Sequence, residues 1–213
     1  MTTIKICGIT NLEDALACAD AGADLLGFNF YSGSPRYIEP DAARKIIEQL
    51  PGAILSVGVF VNGGDPSEVA RLADVVGVAA VQLHGDETPS YCRELSERFV
   101  IKALRANEGF KPESAAEYET AAVLLDSFDQ NLRGGTGRTF DWSIARSTKT
   151  KVPKLILAGG LGPENVADAV ASVQPYGVDA CSSLESSPGR KDVARVRAFI
   201  RAIRGAPPSQ KKN

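Results

Sequence analysis

Two consecutive segments decide how this chain is read: Leu155-Ile156-Leu157-Ala158-Gly159-Gly160, and then Gly177-Val178-Asp179-Ala180-Cys181-Ser182-Ser183. Four aliphatic residues make a short buried strand, and the paired glycines end it. A helix is expected from Pro163, a second strand over 177–180, and one helical turn after Cys181. Glycines at a strand end leave backbone N–H groups uncovered, and a helix starting there adds its own free N–H groups and positive dipole end. Two such ends side by side form a cradle for an anion, of which phosphate is the usual example. In a βα-barrel, the loops after the seventh and eighth strands are where phosphate is held.

Working back from this pair, six more strand–helix units precede it. Ile4-Lys5-Ile6-Cys7-Gly8-Ile9 alternates as a strand, followed by a helix capped by Thr10 or Asn11 and ended at Gly22. Further strands are expected over 24–30, 54–61, 79–83, 100–104 and 121–125. Pro40 and Pro66 suit first-turn positions of the helices after the second and third strands, the former reaching residue 50. Helices over 89–98 and, more weakly, 113–119 follow the fourth and fifth strands. A polar loop over 127–138 holds Gly134, Gly135 and Gly137. Asp141 then caps a sixth helix, and a final helix covers 193–204. Eight alternating units at this length predict a single-domain (β/α)8 TIM barrel of the α/β class over residues 1–205, with a polar tail over 206–213.

Composition narrows the function. The 213 residues carry 24 basic against 26 acidic side chains, a balance that gives no electrostatic reason to expect nucleic acid as a partner. No apolar run reaches the ~20 residues of a membrane span, and Lys5 interrupts any signal-like start, so a cytoplasmic chain is expected. Cys7, Cys18, Cys92 and Cys181 are widely spaced and the only histidine is His84, so no metal site is expected.

In a barrel, residues at strand C-termini face the active-site mouth and those at strand N-termini serve stability. Cys7 closes the first strand with the same parity as Lys5, while Ile4 and Ile6 face the helices. A packing thiol is the commoner state of a free cysteine. Asp126 ends the apolar run Val123-Leu124-Leu125, where burial raises a carboxyl pKa and suits it to general acid work. An ion pair with Lys5 or Lys102, or a helix cap, is the alternative. Arg36, in Ser34-Pro35-Arg36-Tyr37, offers a planar fork for a carboxylate or phosphate. His84 and Asp179 also end strands, and Asp24, at the opposite end, reads as structural.

Taken together these segments resemble the phosphoribosylanthranilate isomerase family of tryptophan biosynthesis. The resemblance rests on Lys5-Ile6-Cys7-Gly8-Ile9-Thr10, Ser34-Pro35-Arg36-Tyr37, Val81-Gln82-Leu83-His84-Gly85, Leu124-Leu125-Asp126-Ser127, Gly134-Gly135-Thr136-Gly137, Phe140-Asp141-Trp142, Leu157-Ala158-Gly159-Gly160-Leu161 and Ser187-Pro188-Gly189. Each is weak alone, but in this order they span almost the whole chain. The resemblance implies an Amadori rearrangement of N-(5-phosphoribosyl)anthranilate to 1-(2-carboxyphenylamino)-1-deoxyribulose 5-phosphate, an intramolecular aldose–ketose oxidoreduction without cofactor or metal. It implies Cys7 as general base and Asp126 as general acid. Arg36 is implied for the anthranilate carboxylate, Asp179 for its amine, His84 as a further substrate contact, and Gly135, Gly159, Gly160, Cys181 and Ser182 for phosphate. The partner is then a small phosphosugar–anthranilate conjugate rather than nucleic acid or membrane, with the chain a monomer or homodimer.

One segment departs from the family pattern. Where the family usually reads Asp-Val-Ser-Ser-Gly-Val-Glu, this chain has Asp179-Ala180-Cys181-Ser182-Ser183-Leu184-Glu185. Cys181 is a poorer hydrogen-bond donor than serine. Ser183 in place of glycine is strained if the backbone needs a positive φ, so somewhat weaker substrate binding is expected. Two alternatives stand beside this reading. One is the histidine-pathway aminoaldose isomerase, disfavoured by Cys7 and the short Gly63-Gly64 loop. The other is a non-catalytic phosphosugar-binding barrel.

Overall fold

The computed structural model describes residues 1–107, 109–126 and 142–205. Eight parallel strands close into a barrel in chain order: β1 (Thr3–Cys7), β2 (Leu25–Asn29), β3 (Leu55–Phe60), β4 (Ala80–Leu83), β5 (Phe99–Arg105), β6 (Ala122–Asp126), β7 (Leu155–Ala158) and β8 (Gly177–Ala180). β8 pairs back onto β1, with Ile6 opposite Ala180. The connections carry α1 (Leu12–Ala21), α2 (Pro40–Ile47), α3 (Pro66–Val76), α4 (Pro89–Glu94), α5 (Trp142–Lys149), α6 (Val166–Val173) and α7 (Val193–Arg204). Parallel neighbours require such crossovers, and the helices cover the outer face of the barrel.

The period of two along each strand divides the core into two layers. Ile4, Ile6, Leu26, Phe28, Val81, Leu83, Val123, Leu125, Leu155, Leu157 and Val178 pack between barrel and helices. Leu25, Val57, Ala80, Ile101, Ala122, Leu124 and Ile156 fill the barrel itself. A slip of one residue would exchange these sets, so the pattern holds the register. It also dictates what reaches the mouth. Cys7, Asn29 and Asp126 are the last inward positions of β1, β2 and β6, while His84 and Cys181 come one step beyond β4 and β8.

Local signals explain the helix ends. Asn11 caps α1 by accepting the Asp14 N–H, and Gly22 closes it at φ 104°. Asp65 and Glu68 form a capping box on α3, with Pro66 in its first turn. Four boundaries differ from expectation. α2 stops at Ile47, because Gln49 and Leu50 donate to Ile46 and Ile47 in tight turns ahead of Pro51. α4 ends at Glu94, where Leu95 drops into the core and the chain turns towards β5. The weak helix after β5 is a 3₁₀ segment, Pro112–Tyr118. α6 starts beyond Pro163, because Asn165 accepts the Gly162 N–H at 2.9 Å and donates to the Gly160 carbonyl at 3.1 Å, latching residues 160–165 as a turn.

The expected single turn after Cys181 is present as Ser182–Leu184. It leads into an unexpected hairpin, β9 (Glu185–Ser187) and β10 (Arg190–Lys191). Thr10 donates to the Gly189 carbonyl and the Asp14 carboxylate accepts the Lys191 N–H at 2.9 Å, so the hairpin is fastened to the chain after β1. Asp24 accepts the Ile4 N–H at 2.7 Å and pairs with Arg204 at 3.0 Å, a structural role at the barrel floor.

Candidate active site

A cavity of about 410 Å³ opens at the C-terminal end of the barrel. Cys7, Arg36, His84, Asp126, Gly159, Gly160, Asp179, Cys181 and Ser182 all line it. Gly135, the other residue expected here, lies outside the described residues, as do the rest of its loop and the cap expected at Asp141. A second cavity of about 350 Å³ lies at the opposite end, around Thr3, Lys5, Asp24 and Tyr176, and is lined by none of the residues expected at the site.

Inward positions of β1 and β8, together with Cys181 just beyond β8, form one charged cluster. The Lys5 ammonium, 1% exposed, sits 3.0 Å from the Asp179 carboxylate. Burial lowers the Lys5 pKa, but the negative charges of Asp179 and Cys7 outweigh it and hold Lys5 above its ordinary value. Burial pushes Asp179 up to about 7, more than Lys5 pulls it down. Cys7 goes the other way. A hydrogen bond from Cys181 is the largest cause, burial opposes it, and Lys5 and Lys191 add their positive charge, so the Cys7 thiol falls well below the ordinary range. Cys181 is raised by the same hydrogen bond and by burial. The two thiols are thus shifted in opposite directions, Cys7 down and Cys181 up. Gly27 leaves the room for this: a Cβ there would stand 2.7 Å from the Cys7 sulfur.

Cys18 and Cys92 behave as packing thiols. Both are buried, and desolvation pushes them up to about 12 and about 11.

Two residues that matter here were missed by sequence reasoning. Lys191, from β10, is buried; its ammonium donates to the Cys7 carbonyl at 2.6 Å and to Glu185 at 3.0 Å, and lies 4.0 Å from the Cys181 sulfur. Glu185, from β9, takes the Nε and Nη2 edge of Arg36 at 2.7–3.0 Å. Burial would raise the Glu185 carboxyl, yet Arg36 and Lys191 together hold it low. Arg36 therefore reaches the cavity with one edge of its fork already occupied. The signal was the Pro188-Gly189 turn, which brackets Glu185 and Lys191 and brings them together once it is read as a hairpin.

Asp126 stands across the mouth from Cys7. The two expected lysine partners are elsewhere: Lys5 is on Asp179, and Lys102 points outward to Glu87 at 2.7 Å. Asp126 is instead 3.6 Å from the His84 Nε2, a close approach rather than a hydrogen bond. Gln82 meets the His84 Nδ1 at 2.7 Å, and with Gln82 donating, Nε2 carries the proton towards Asp126. The loop holding His84 is braced from behind, since Glu87 accepts the N–H groups of Gly85 and Asn62 and Lys102 donates to the Gly85 carbonyl.

The loops after β7 and β8, where a phosphate is expected, line the same cavity. Gly159 and Gly160 adopt φ 90° and 66°, a succession of positive angles open to glycine. Ser183 does not adopt a positive φ, so the strain feared for it is absent. Its hydroxyl donates to the Leu161 carbonyl and its own carbonyl accepts Arg195 at 2.6 Å, tying the loop after β8 to the loop after β7.

The family profile for N-(5′-phosphoribosyl)anthranilate (PRA) isomerase matches residues 4–202. This chain belongs to that family. It is 48% identical to the N-(5′-phosphoribosyl)anthranilate isomerase of Trichlorobacter lovleyi, over 97% of this chain and all of the relative. The Geobacter sulfurreducens enzyme of the same name is 50% identical, over 96% and 100%. The crystal structure of phosphoribosylanthranilate isomerase from Thermotoga maritima superimposes with a TM-score of 0.88 at 45% identity, covering 96% of this chain and all of that one. A phosphoribosylanthranilate isomerase solved in complex with reduced 1-(o-carboxyphenylamino)-1-deoxyribulose 5-phosphate gives 0.86 at 42% identity, with the same coverage. The fold is thus documented in crystal structures of relatives, one of them with that compound bound.

Proposed function

We propose that this protein isomerises N-(5′-phosphoribosyl)anthranilate to 1-(2-carboxyphenylamino)-1-deoxyribulose 5-phosphate in tryptophan biosynthesis, as an aldose–ketose isomerase acting by general acid–base catalysis. One observation carries the reading. A thiol held low and a carboxyl group line the same cavity from β1 and β6, and the loops after β7 and β8, the strands between them in the closed ring, line it too. A phosphate held by the N–H groups near Gly160, Ser182 and Ser183 would therefore suspend its sugar between acid and base.

Asp126, protonated, gives its proton to the furanose ring oxygen as the C1′–O bond breaks, leaving a protonated Schiff base. That cation acidifies the neighbouring C2′ proton, which the Cys7 thiolate removes. The enolamine takes a proton at C1′ and gives up the proton of its C2′ hydroxyl, becoming the ketone. C1′ is reduced and C2′ oxidised within one molecule, so the redox balance closes on the substrate. The Nη1 side of Arg36 is left for the anthranilate carboxylate. Asp179, half ionised near neutrality, can accept from the anthranilate amine, and His84 Nε2–H can orient the Asp126 carboxyl. The partner on this reading is a small phosphosugar–anthranilate conjugate. Among the described residues no helix is long and apolar enough to cross a membrane.

The test is turnover of freshly prepared phosphoribosylanthranilate, followed by loss of anthranilate-type fluorescence, beside the histidine-pathway substrate. Cys7→Ser and Asp126→Asn should each lower kcat by about 10²–10⁴-fold while binding of a reduced product analogue persists. Near-native turnover in either variant would remove that residue from the chemistry.

A further inference from the structure

Cys7 and Cys181 are cross-strand neighbours. β1 and β8 pair with Ile6 opposite Ala180, so the next step of the register sets the two cysteines side by side, both facing into the barrel. Laterally paired strands lie about 5 Å apart, inside the roughly 4.4–6.8 Å Cα separation that a disulfide spans. The Cys181 sulfur lies 2.8 Å from where a Cβ on Gly8 would stand, so it sits against the residue that follows Cys7. Both line the 410 Å³ cavity, which admits small solutes. We propose that Cys7 and Cys181 are a modification site for hydroperoxides, closing to a reversible disulfide that takes the Cys7 base out of action. The proposal rests on the assignment of Cys7 as base.

The chemistry balances with the peroxide as the only added reactant. The Cys7 thiolate attacks the O–O bond, the distal oxygen goes to sulfur, and the departing hydroxide or alkoxide takes up a proton from water. The Cys181 sulfur then attacks the Cys7 sulfenic acid. The S–O bond breaks, and the hydroxide that leaves takes the Cys181 proton as water. Two thiols lose two electrons and the peroxide gains them. The parts suit the two roles: Cys7 is the thiolate that reacts first, and Cys181 holds its proton until the sulfenic acid is formed. Lys191, 4.0 Å from the Cys181 sulfur, then favours its ionisation. The buried Cys18 and Cys92 thiols, both raised, serve as silent internal references.

The full chain is treated with hydrogen peroxide, quenched, and measured by intact mass, peptide mapping and activity, before and after a dithiol reductant. The expected result is a mass lower by two hydrogens, a Cys7–Cys181 cross-linked peptide, activity lost in proportion to the cross-linked fraction, and both restored by reductant. Cys181→Ser, scaled to its own untreated rate, should instead gain oxygens on Cys7 and lose activity that reductant does not restore. Addition of oxygens to Cys7 in the wild type without a cross-link overturns the proposal and leaves Cys7 as base untouched. A cross-link that forms with activity unchanged overturns it too, and in that case the assignment of Cys7 as base falls with it.

Discussion

Replacing Lys5 by Met keeps the apolar stem of the side chain and removes one buried ammonium. Lys5 Nζ and the Cys7 sulfur both lie within 3.1 Å of the point where a Gly27 Cβ would stand, hence within reach of each other's charge. Lys5 lowers the Cys7 pKa through its charge and through a hydrogen bond. An opposite charge at such range moves a pKa by about 1–3 units. The thiolate limb of kcat/KM should therefore move up in pH by about 1–3 units, and the rate at pH values below the limb should fall by up to about 10–1,000-fold, recovering in alkaline buffer. The variant should still fold. Asp179 is already pushed up to about 7 beside Lys5, so without that ammonium it is neutral at pH 7 and no unpaired buried charge remains. The assay is a pH profile of kcat/KM with a parallel titration of thiolate absorbance, to which Cys18 and Cys92 add little because they are pushed up to about 12 and about 11. A uniform loss of rate at every pH, with the limb unmoved, would falsify the claim that Lys5 sets the charge on Cys7.

Two further outcomes concern stability. Asp179 is pushed up to about 7, so the unfolded chain, with a carboxyl pKa of about 3.9, gives up its proton first. Its contribution is thus fully present below about pH 4 and lost as pH rises through about 7. Asp179→Asn should gain stability relative to the wild type over that window, by about 4 kcal/mol at most, in urea titrations at several pH values; a difference independent of pH refutes this. Glu87→Ala leaves the Lys102 ammonium buried without its carboxylate, a truncation that costs about 3–5 kcal/mol. A urea midpoint shifted by the equivalent of less than about 1 kcal/mol would show that the Gly85 and Leu83 carbonyls suffice for Lys102.

Much of the site was legible before any coordinates. Strand periodicity determined which of Lys5 and Cys7 or Ile4 and Ile6 face inward, because side chains alternate strictly and one face must be apolar on the helix side. The glycine pair after β7 marked the loop, because two successive positive φ angles are open to few other residues. Ordered motifs from Lys5 to Gly189 carried the family. Which charges meet was not legible, because ion pairs depend on where the ring closes. Lys5 is 174 residues from Asp179 and adjoins it only because β8 returns to β1. Strand parity sent Lys102 outward to Glu87, which left Asp126 facing His84 instead of a lysine. Glu185 and Lys191 were not singled out in the sequence, and it is the hairpin that brings them against each other and Lys191 onto the Cys7 carbonyl. The thiol pair is the clearest case: Cys7 and Cys181 are each a small residue at a strand end by sequence, and only the pairing of β8 with β1 brings them together at the mouth.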